Sequence, residues 1–224
     1  MASRQVDKAI AWGVPAEREP RWPASLAVAA AVALTVTLPN PLVFGRWVLL
    51  GVEAVLVVPI TIAFPLRHQD EPTIVRWMAL VCVAVAEAAN LISLGLLVQH
   101  ILQGTGATGR QLVVAAIQIY LTNVLLFGLW FWELDRGGPG ERMHPKHRQP
   151  DFLFPQMVTP ESAPDNWAPS FADYLYVSFT NASAFSPTDT MPLTVAAKML
   201  MLVEAAAAIL TVAVVAARAV NILK

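Results

Sequence analysis

The sequence has little charge. Asp, Glu, Lys and Arg make up only 14% of its 224 residues, whereas 56% are hydrophobic, and the mean hydropathy is +0.56. An average soluble domain is about one quarter charged, because polar groups must cover its surface. The composition therefore argues against a soluble enzyme or binding domain. It predicts a multi-pass integral membrane protein of the plasma membrane, with the lipid bilayer as its surroundings.

The sequence also lacks an excess of one charge and the usual residues of catalytic sites. Its 15 Lys and Arg nearly balance its 16 Asp and Glu, so no nucleic-acid partner is expected. Cys82 is the single cysteine and cannot form an internal disulfide. The four histidines lack the spacing of a zinc site, and no motif pairs a nucleophile with a base. We expect no enzymatic activity, no catalytic residue, no cofactor and no metal centre.

Long apolar runs fill most of the chain instead. A helix that crosses a bilayer needs about 20 mostly apolar residues. One of the five apolar runs, at 24–38, is shorter than this and is followed by a Pro-Asn-Pro turn. The predicted fold is an all-α membrane protein with a polar tail at 1–23, N-terminal transmembrane helices at 24–110, and four to five spans in total. The four runs that meet the full length are residues 42–64, 74–102, 111–132 and 193–223.

Residues 171–192, FADYLYVSFTNASAFSPTDTMP, follow a long loop with seven prolines and are not a span. Their apolar part is too short to cross a bilayer, and Pro187 and Pro192 interrupt any helix. Irregular polar backbone at membrane depth is tolerated only where it lines a cavity or is buried in protein. The segment therefore predicts a short helix and a re-entrant loop before the last helix.

This part of the chain resembles the two-helix pore module of the tetrameric potassium-channel superfamily. DYLYVSFT resembles the family's pore helix, DTMP resembles the D-x-x-P after the filter, and LMLVEAA resembles the start of the inner helix. The resemblance covers residues 111–224 and implies a homotetramer around a shared axis. It also implies the division of this region into an outer helix at 111–133, a loop at 134–170, a pore helix and filter-like turn at 171–192, and an inner helix at 193–223.

The filter itself departs from the family. Residues 184–188 read AFSPT where the family has T-V-G-Y-G, so both glycines are missing and a proline is added. A carbonyl-lined potassium filter is not expected from this backbone, whereas the hydroxyls favour a wider, hydrated constriction with Asp189 at its mouth. The predicted function is a pore-loop ion channel that passes monovalent cations without strict potassium selectivity. The predicted constriction comprises Thr180, Ser183, Ala184, Phe185, Ser186, Pro187, Thr188 and Asp189.

The C-terminal part is also similar to a bacterial integral-membrane family of unknown function. The elements SFT, SPTD and AVNIL carry this second resemblance. It implies a membrane location and no particular activity.

Three acidic residues, Glu53, Glu87 and Glu204, fall inside the predicted spans. Charged side chains there are costly and face a bundle interior or water. Glu87 shares a helical face with Asn90, and Glu53 and Glu87 suit a proton or cation site. A proton- or ion-coupled carrier that uses these acids is therefore an alternative function, and a non-conducting membrane scaffold is another. In the simplest alternative each carboxyl is protonated or bonded to a neighbouring helix.

The basic residues leave the orientation open. A pore loop of the potassium-channel type enters from outside, and with five spans 11 of the 15 basic residues lie outside, against the positive-inside rule. If residues 24–38 do not cross the membrane, eight of the 15 basic residues lie inside and seven lie outside. Alternatively, the loop at 135–170 is cytoplasmic, and the resemblance to the potassium-channel pore then fails in orientation.

Overall fold

The computed structural model describes residues 22–43, 51, 73–103, 108–143, 149–159, 161, 163–164, 167–183 and 189–222. Within these ranges the chain is mostly helical, with three short 3-10 turns at Asn40–Leu42, Asp135–Gly137 and Glu141–Met143. Two short strands, β1 (Phe152–Leu153) and β2 (Met191–Pro192), pair antiparallel. The helices are α1 (Trp22–Thr37), α2 (Thr73–Gln103), α3 (Gly109–Leu134), α4 (Pro155–Val158), α5 (Phe171–Ser183) and α6 (Val195–Ile222).

Three helices in the described ranges are long and apolar enough to cross a membrane. They occupy Arg76–Gln103, Gly109–Gly137 and Val195–Ala217, which confirms the apolar helical character predicted for three of the runs. Helix α1 has 16 residues, fewer than the roughly 20 that a span requires. The run predicted at 42–64 lies almost entirely outside the described residues, and Glu53 lies there too.

The central helix α3 has clear start and stop signals. The Thr108 hydroxyl accepts a hydrogen bond from the Gln111 amide, and the Gln111 side chain accepts one from the Thr108 amide, which is a capping box. After Leu134 the backbone turns through positive φ at Arg136, Gly137 and Gly138. Glycine adopts this conformation readily, so the glycine pair ends the helix and reverses the chain.

Helix α3 forms the centre of the bundle and contacts α1, α2, α5 and α6. The buried side chains of its second half include Phe127 and Phe131, which belong to one core with residues of α1, α5 and α6. Gly128 allows a close approach of α3 and α5, since a Cβ atom there would lie 3.2 Å from Cα of Leu175 on α5. The short helix α5 is thereby packed into the bundle between α3 and α6.

The β1–β2 pair was not part of the predicted all-α fold. Met191 and Pro192 had been assigned to the irregular stretch before the last helix, and the structure pairs them with residues of the long loop, Leu153 and Phe152. Pro192 fits this place because the Leu193 amide, and not the Pro192 nitrogen, donates across the pair, to the Asp151 carbonyl. The proline-rich loop is consequently joined to the base of α6.

Candidate functional site

Asp135, at the end of α3, is the centre of a buried charged cluster. Its Oδ2 accepts hydrogen bonds from Arg136 Nε at 3.0 Å and from the Tyr174 hydroxyl at 2.6 Å. Its Oδ1 accepts from the backbone amides of Asp151 at 2.7 Å and Phe152 at 3.3 Å. Asp135 is fully buried, so these four donors replace the water that the carboxylate has lost. We call Asp135, Arg136, Arg142, Asp151 and Tyr174 the Asp135 hub.

Arg142 completes this hub from the other side of the turn. Its Nη1 donates to the carbonyls of Trp132 at 2.6 Å and Asp135 at 3.2 Å, which lie at the C-terminus of α3, where a cation is favourable. Its guanidinium lies 5.1 Å from the centre of the Tyr174 ring, within the range of a cation–π contact. Burial raises the pKa of the Tyr174 hydroxyl well above its usual range, so the hydroxyl stays protonated and remains a donor.

Both ends of the segment from α5 to α6 meet this hub. Tyr174 lies in the first turn of α5, which Asp173 caps by accepting from the Ser170 amide and hydroxyl at 2.8 Å each. At the other end, Asp151 accepts from the Leu193 amide at 2.8 Å and from the Thr194 hydroxyl at 2.7 Å. The chain therefore leaves the hub in α5 and comes back to it just before α6.

Glu204 joins α5 to α6 inside the bundle. Its carboxylate is hydrogen-bonded to the Ser178 hydroxyl through Oε1, and its Oε2 accepts from Asn181 Nδ2 at 2.6 Å. Asn181 Nδ2 also donates to the Met201 carbonyl at 2.9 Å, and the Ser178 hydroxyl lies 2.7 Å from the Val124 carbonyl. Glu204 is fully buried, and these polar contacts fix the face that α5 presents to α3 and α6.

A second polar cluster lies where α2 meets α3. Asn90 Nδ2 donates to the Ile119 carbonyl at 3.3 Å, and Asn123 Nδ2 donates to the Glu204 carbonyl at 3.4 Å. We call Glu87, Asn90, Thr122 and Asn123 the oxygen cluster. All four are buried, and Glu87 is close enough to Glu204 for their charges to interact. The structure thus brings together two of the three acids that the sequence placed inside spans.

The predicted constriction is described only at its two ends. Thr180 and Ser183 lie on the last turns of α5, where their hydroxyls donate to the carbonyls of Tyr176 at 2.8 Å and Phe179 at 2.6 Å. Asp189 is exposed in the bend before β2. The residues between them, Ala184, Phe185, Ser186, Pro187 and Thr188, lie outside the described residues.

Two parts of this arrangement were not predicted from the sequence. Most residues of the Asp135 hub fall in the long loop with seven prolines, for which no buried cluster was predicted. The sequence signal was the acidic Asp135 and Asp151 with the arginines Arg136 and Arg142, around the Gly137–Gly138 pair. The partners of Glu204 were also missed, and their signal was the spacing of Ser178 and Asn181, three residues apart on one helical face. In the described part of the chain, no group of three or more His, Cys, Asp or Glu side chains is placed to hold a metal ion.

Comparison of the chain with models of known protein families, with curated proteins and with solved structures finds no match. The resemblances described above therefore depend on the quoted motifs alone.

Proposed function

We propose that this protein is a pore-loop membrane protein that passes monovalent cations without strict potassium selectivity. The observation that carries the proposal is that the segment from α5 to α6 begins and ends at the same Asp135 hub. Helix α5 has 13 residues, a length of about 20 Å, which is too short to cross the roughly 30 Å hydrocarbon core. A segment that enters the bundle and returns to its starting side has the geometry of a re-entrant loop.

The C-terminus of α5 favours cations. The helix ends at Ser183, and the carbonyls of its last turn carry the partial negative charge of a helix C-terminus. Residues 184–188 follow directly in the sequence, and the acidic Asp189 comes after them. Positively charged ions are therefore stabilised at the place where the sequence predicts a constriction.

One chain supplies one such segment, so we propose that four copies surround a common axis. The apolar surface that the single chain leaves uncovered supports contacts of this kind. Leu202 and Ile209 on α6 are 60% and 55% exposed, and Tyr176 and Phe179 on α5 are 56% and 51% exposed. Neighbouring copies and lipid together would cover these side chains.

Flux into liposomes tests the proposal. Purified protein is reconstituted, and sodium or potassium uptake down a gradient is measured for the native chain, Ser186→Trp and Asp189→Asn. We expect uptake of both ions, its loss when the bulky indole fills the turn, and slower uptake when the charge at the mouth is removed. Glu141→Gln, an exposed acid near the hub, serves as the matched control and should conduct normally. Folded protein of the expected mass that passes neither ion would refute the proposal.

The second candidate function is a proton- or ion-coupled carrier. It is favoured by the two acids Glu87 and Glu204, which lie buried and close together inside the bundle. A carrier predicts uptake that requires an opposing or coupled gradient and that is lost in Glu87→Gln. Passive flux that is unchanged in this variant excludes the carrier.

A further inference from the structure

The two main hydrophobic cores of the bundle show which way each long helix runs. One core contains the second half of α3 together with Phe152 and Tyr174, which lie at the Asp135 hub. The other core contains the first half of α3, from Leu112 to Ile119. Because α3 ends at the hub, the two cores lie at opposite ends of the bundle, which we call the hub end and the far end.

Helices α1, α2 and α6 all begin at the hub end and run towards the far end. Each of them contributes an early residue to the hub-end core, and a later residue of the helix, or one just after it, to the far-end core. These pairs are Ala24 and Leu38 for α1, Val83 and Leu94 for α2, and Ala197 and Ala207 for α6. The start of α2 also lies beside the turn that follows α3, since a Cβ atom on Gly138 would lie 3.5 Å from Arg76 Nε.

This packing bears on the orientation that the basic residues left open. Because α1 begins at the hub end, the tail that precedes Trp22 joins the bundle at the same end as the loop at 135–170. Helices α1 and α2 run in the same direction, so the chain between Leu42 and Thr73 has to return from the far end to the hub end. The arrangement in which the tail and the loop lie on opposite sides of the membrane does not fit this bundle.

Most basic residues belong to the hub end by their place in the chain. Arg46, Arg110, Arg218 and Lys224 belong to the far end, and the other 11 of the 15 basic residues belong to the hub end. Lysine and arginine in loops of this length are concentrated on the cytoplasmic side of membrane proteins. The imbalance therefore favours a cytoplasmic hub end.

Exposed side chains at the hub end suit a membrane–water interface. Trp22 and Trp77, near the starts of α1 and α2, are 65% and 60% exposed, and Lys198, near the start of α6, is exposed as well. Tryptophan is enriched at such interfaces, and basic side chains beside it are attracted to the anionic headgroups of the cytoplasmic leaflet. The surface at this end is therefore complementary in charge to that leaflet.

We infer that the hub end is the cytoplasmic face of this protein, where its basic residues contact the anionic headgroups of the inner leaflet. The segment from α5 to α6 then enters the bundle from the cytoplasm, whereas a pore loop of the potassium-channel type enters from outside. This direction of entry rests on the re-entrant segment of the proposed function. The side on which the hub lies does not depend on ion conduction.

Cysteine labelling in cells that express the protein tests the inference. Cys82 is the single native cysteine, so a Cys82→Ala chain can carry one reporter cysteine at a time. The reporters replace exposed residues: Glu141 or Glu161 in the loop at the hub end, and Gln103 at the far end. We expect a membrane-impermeant maleimide to label Gln103→Cys in intact cells, and to label Glu141→Cys and Glu161→Cys only after permeabilisation. The Cys82→Ala chain without a reporter gives the background.

The reverse pattern overturns the inference: labelling of the two hub-end reporters in intact cells, with Gln103→Cys reacting only after permeabilisation. Equal labelling of both ends in intact cells overturns it as well, because it indicates a mixed orientation. Glu161→Cys keeps the test decisive if Glu141→Cys fails to fold or to react. The expected labelling in a folded chain that passes no ion would refute the proposed function and support the cytoplasmic position of the hub.

Discussion

Asp135 and Glu87 are both buried acids, and their surroundings differ sharply. The carboxylate of Asp135 accepts four hydrogen bonds and adjoins an arginine, whereas both oxygens of Glu87 lack a partner among the described residues. The donors around Asp135 replace the water that its carboxylate has lost, and they stabilise the fold. The second leaves both carboxyl oxygens of Glu87 available to a proton or to another donor. Burial of an acid is thus a poor guide to its role until its partners are known.

The largest effect is expected from Asp135→Ala. The change leaves Arg136 and Tyr174 without their carboxylate inside the protein, and breaking a buried ion pair in this way costs about 3–5 kcal/mol. Thermal unfolding in detergent should show a strongly lowered melting temperature. Glu141→Ala provides the exposed control and should be nearly neutral, within about 0.5 kcal/mol. Equal stability of the two variants would contradict a structural role for the hub.

Tyr174→Phe should have a smaller effect in the same direction. It removes the hydroxyl that donates to Asp135 at 2.6 Å but keeps the ring beside Arg142 and Phe154. Loss of one hydrogen bond to a charged group costs about 1.5–3 kcal/mol. The same unfolding assay, with the exposed Tyr176→Phe as the matched control, measures the difference. A neutral Tyr174→Phe would show that the backbone amides alone hold the carboxylate.

Ser178→Ala should reduce stability by about 1 kcal/mol, since it removes a neutral hydroxyl between α5 and two neighbouring helices. Glu204 keeps Asn181 as its second partner, which limits the loss. Thr180→Ala is the matched control, because among the described residues the Thr180 hydroxyl bonds only within its own helix, at the carbonyls of Tyr176 and Val177. A larger effect at Thr180 than at Ser178 would contradict the contact to α6 as the important one.

The smallest and opposite effect is expected from Glu87→Gln. The amide replaces a buried carboxyl at nearly constant volume and breaks no hydrogen bond of that side chain among the described residues, so the melting temperature should stay the same or rise slightly. Glu204→Gln, measured in parallel, should be destabilising because an amide cannot accept from both Ser178 and Asn181. Destabilisation of Glu87→Gln would mean that the Glu87 carboxyl has a structural partner.

The apolar runs predicted three helices correctly because length and composition alone determine whether a segment suits a bilayer. The helix bounds Thr73–Gln103, Gly109–Leu134 and Val195–Ile222 lie within two residues or so of the predicted runs. The short helix at Phe171–Ser183 was also expected from its apolar start and polar end.

The contacts between elements were not predictable in the same way. Asp135 bonds to Tyr174, 39 residues further along the chain, and Asp151 bonds to Thr194 across 43 residues. Such pairings depend on how helices pack and on where a loop returns, and no periodicity in the sequence encodes them. The polar face of α5 and the place of Glu87 beside Glu204 required the assembled bundle.

Asp151 has a mechanical consequence. Its carboxylate receives the Arg136 amide after α3 and the Thr194 hydroxyl before α6, so one side chain fastens two long helices at the same end. Sliding of α6 along α3 would have to break these bonds together with the strand pair. Tilting about this end would preserve them while displacing the distant end of α6. The Asp151 carboxylate therefore opposes sliding of α6 along α3 more strongly than tilting of α6 about this end.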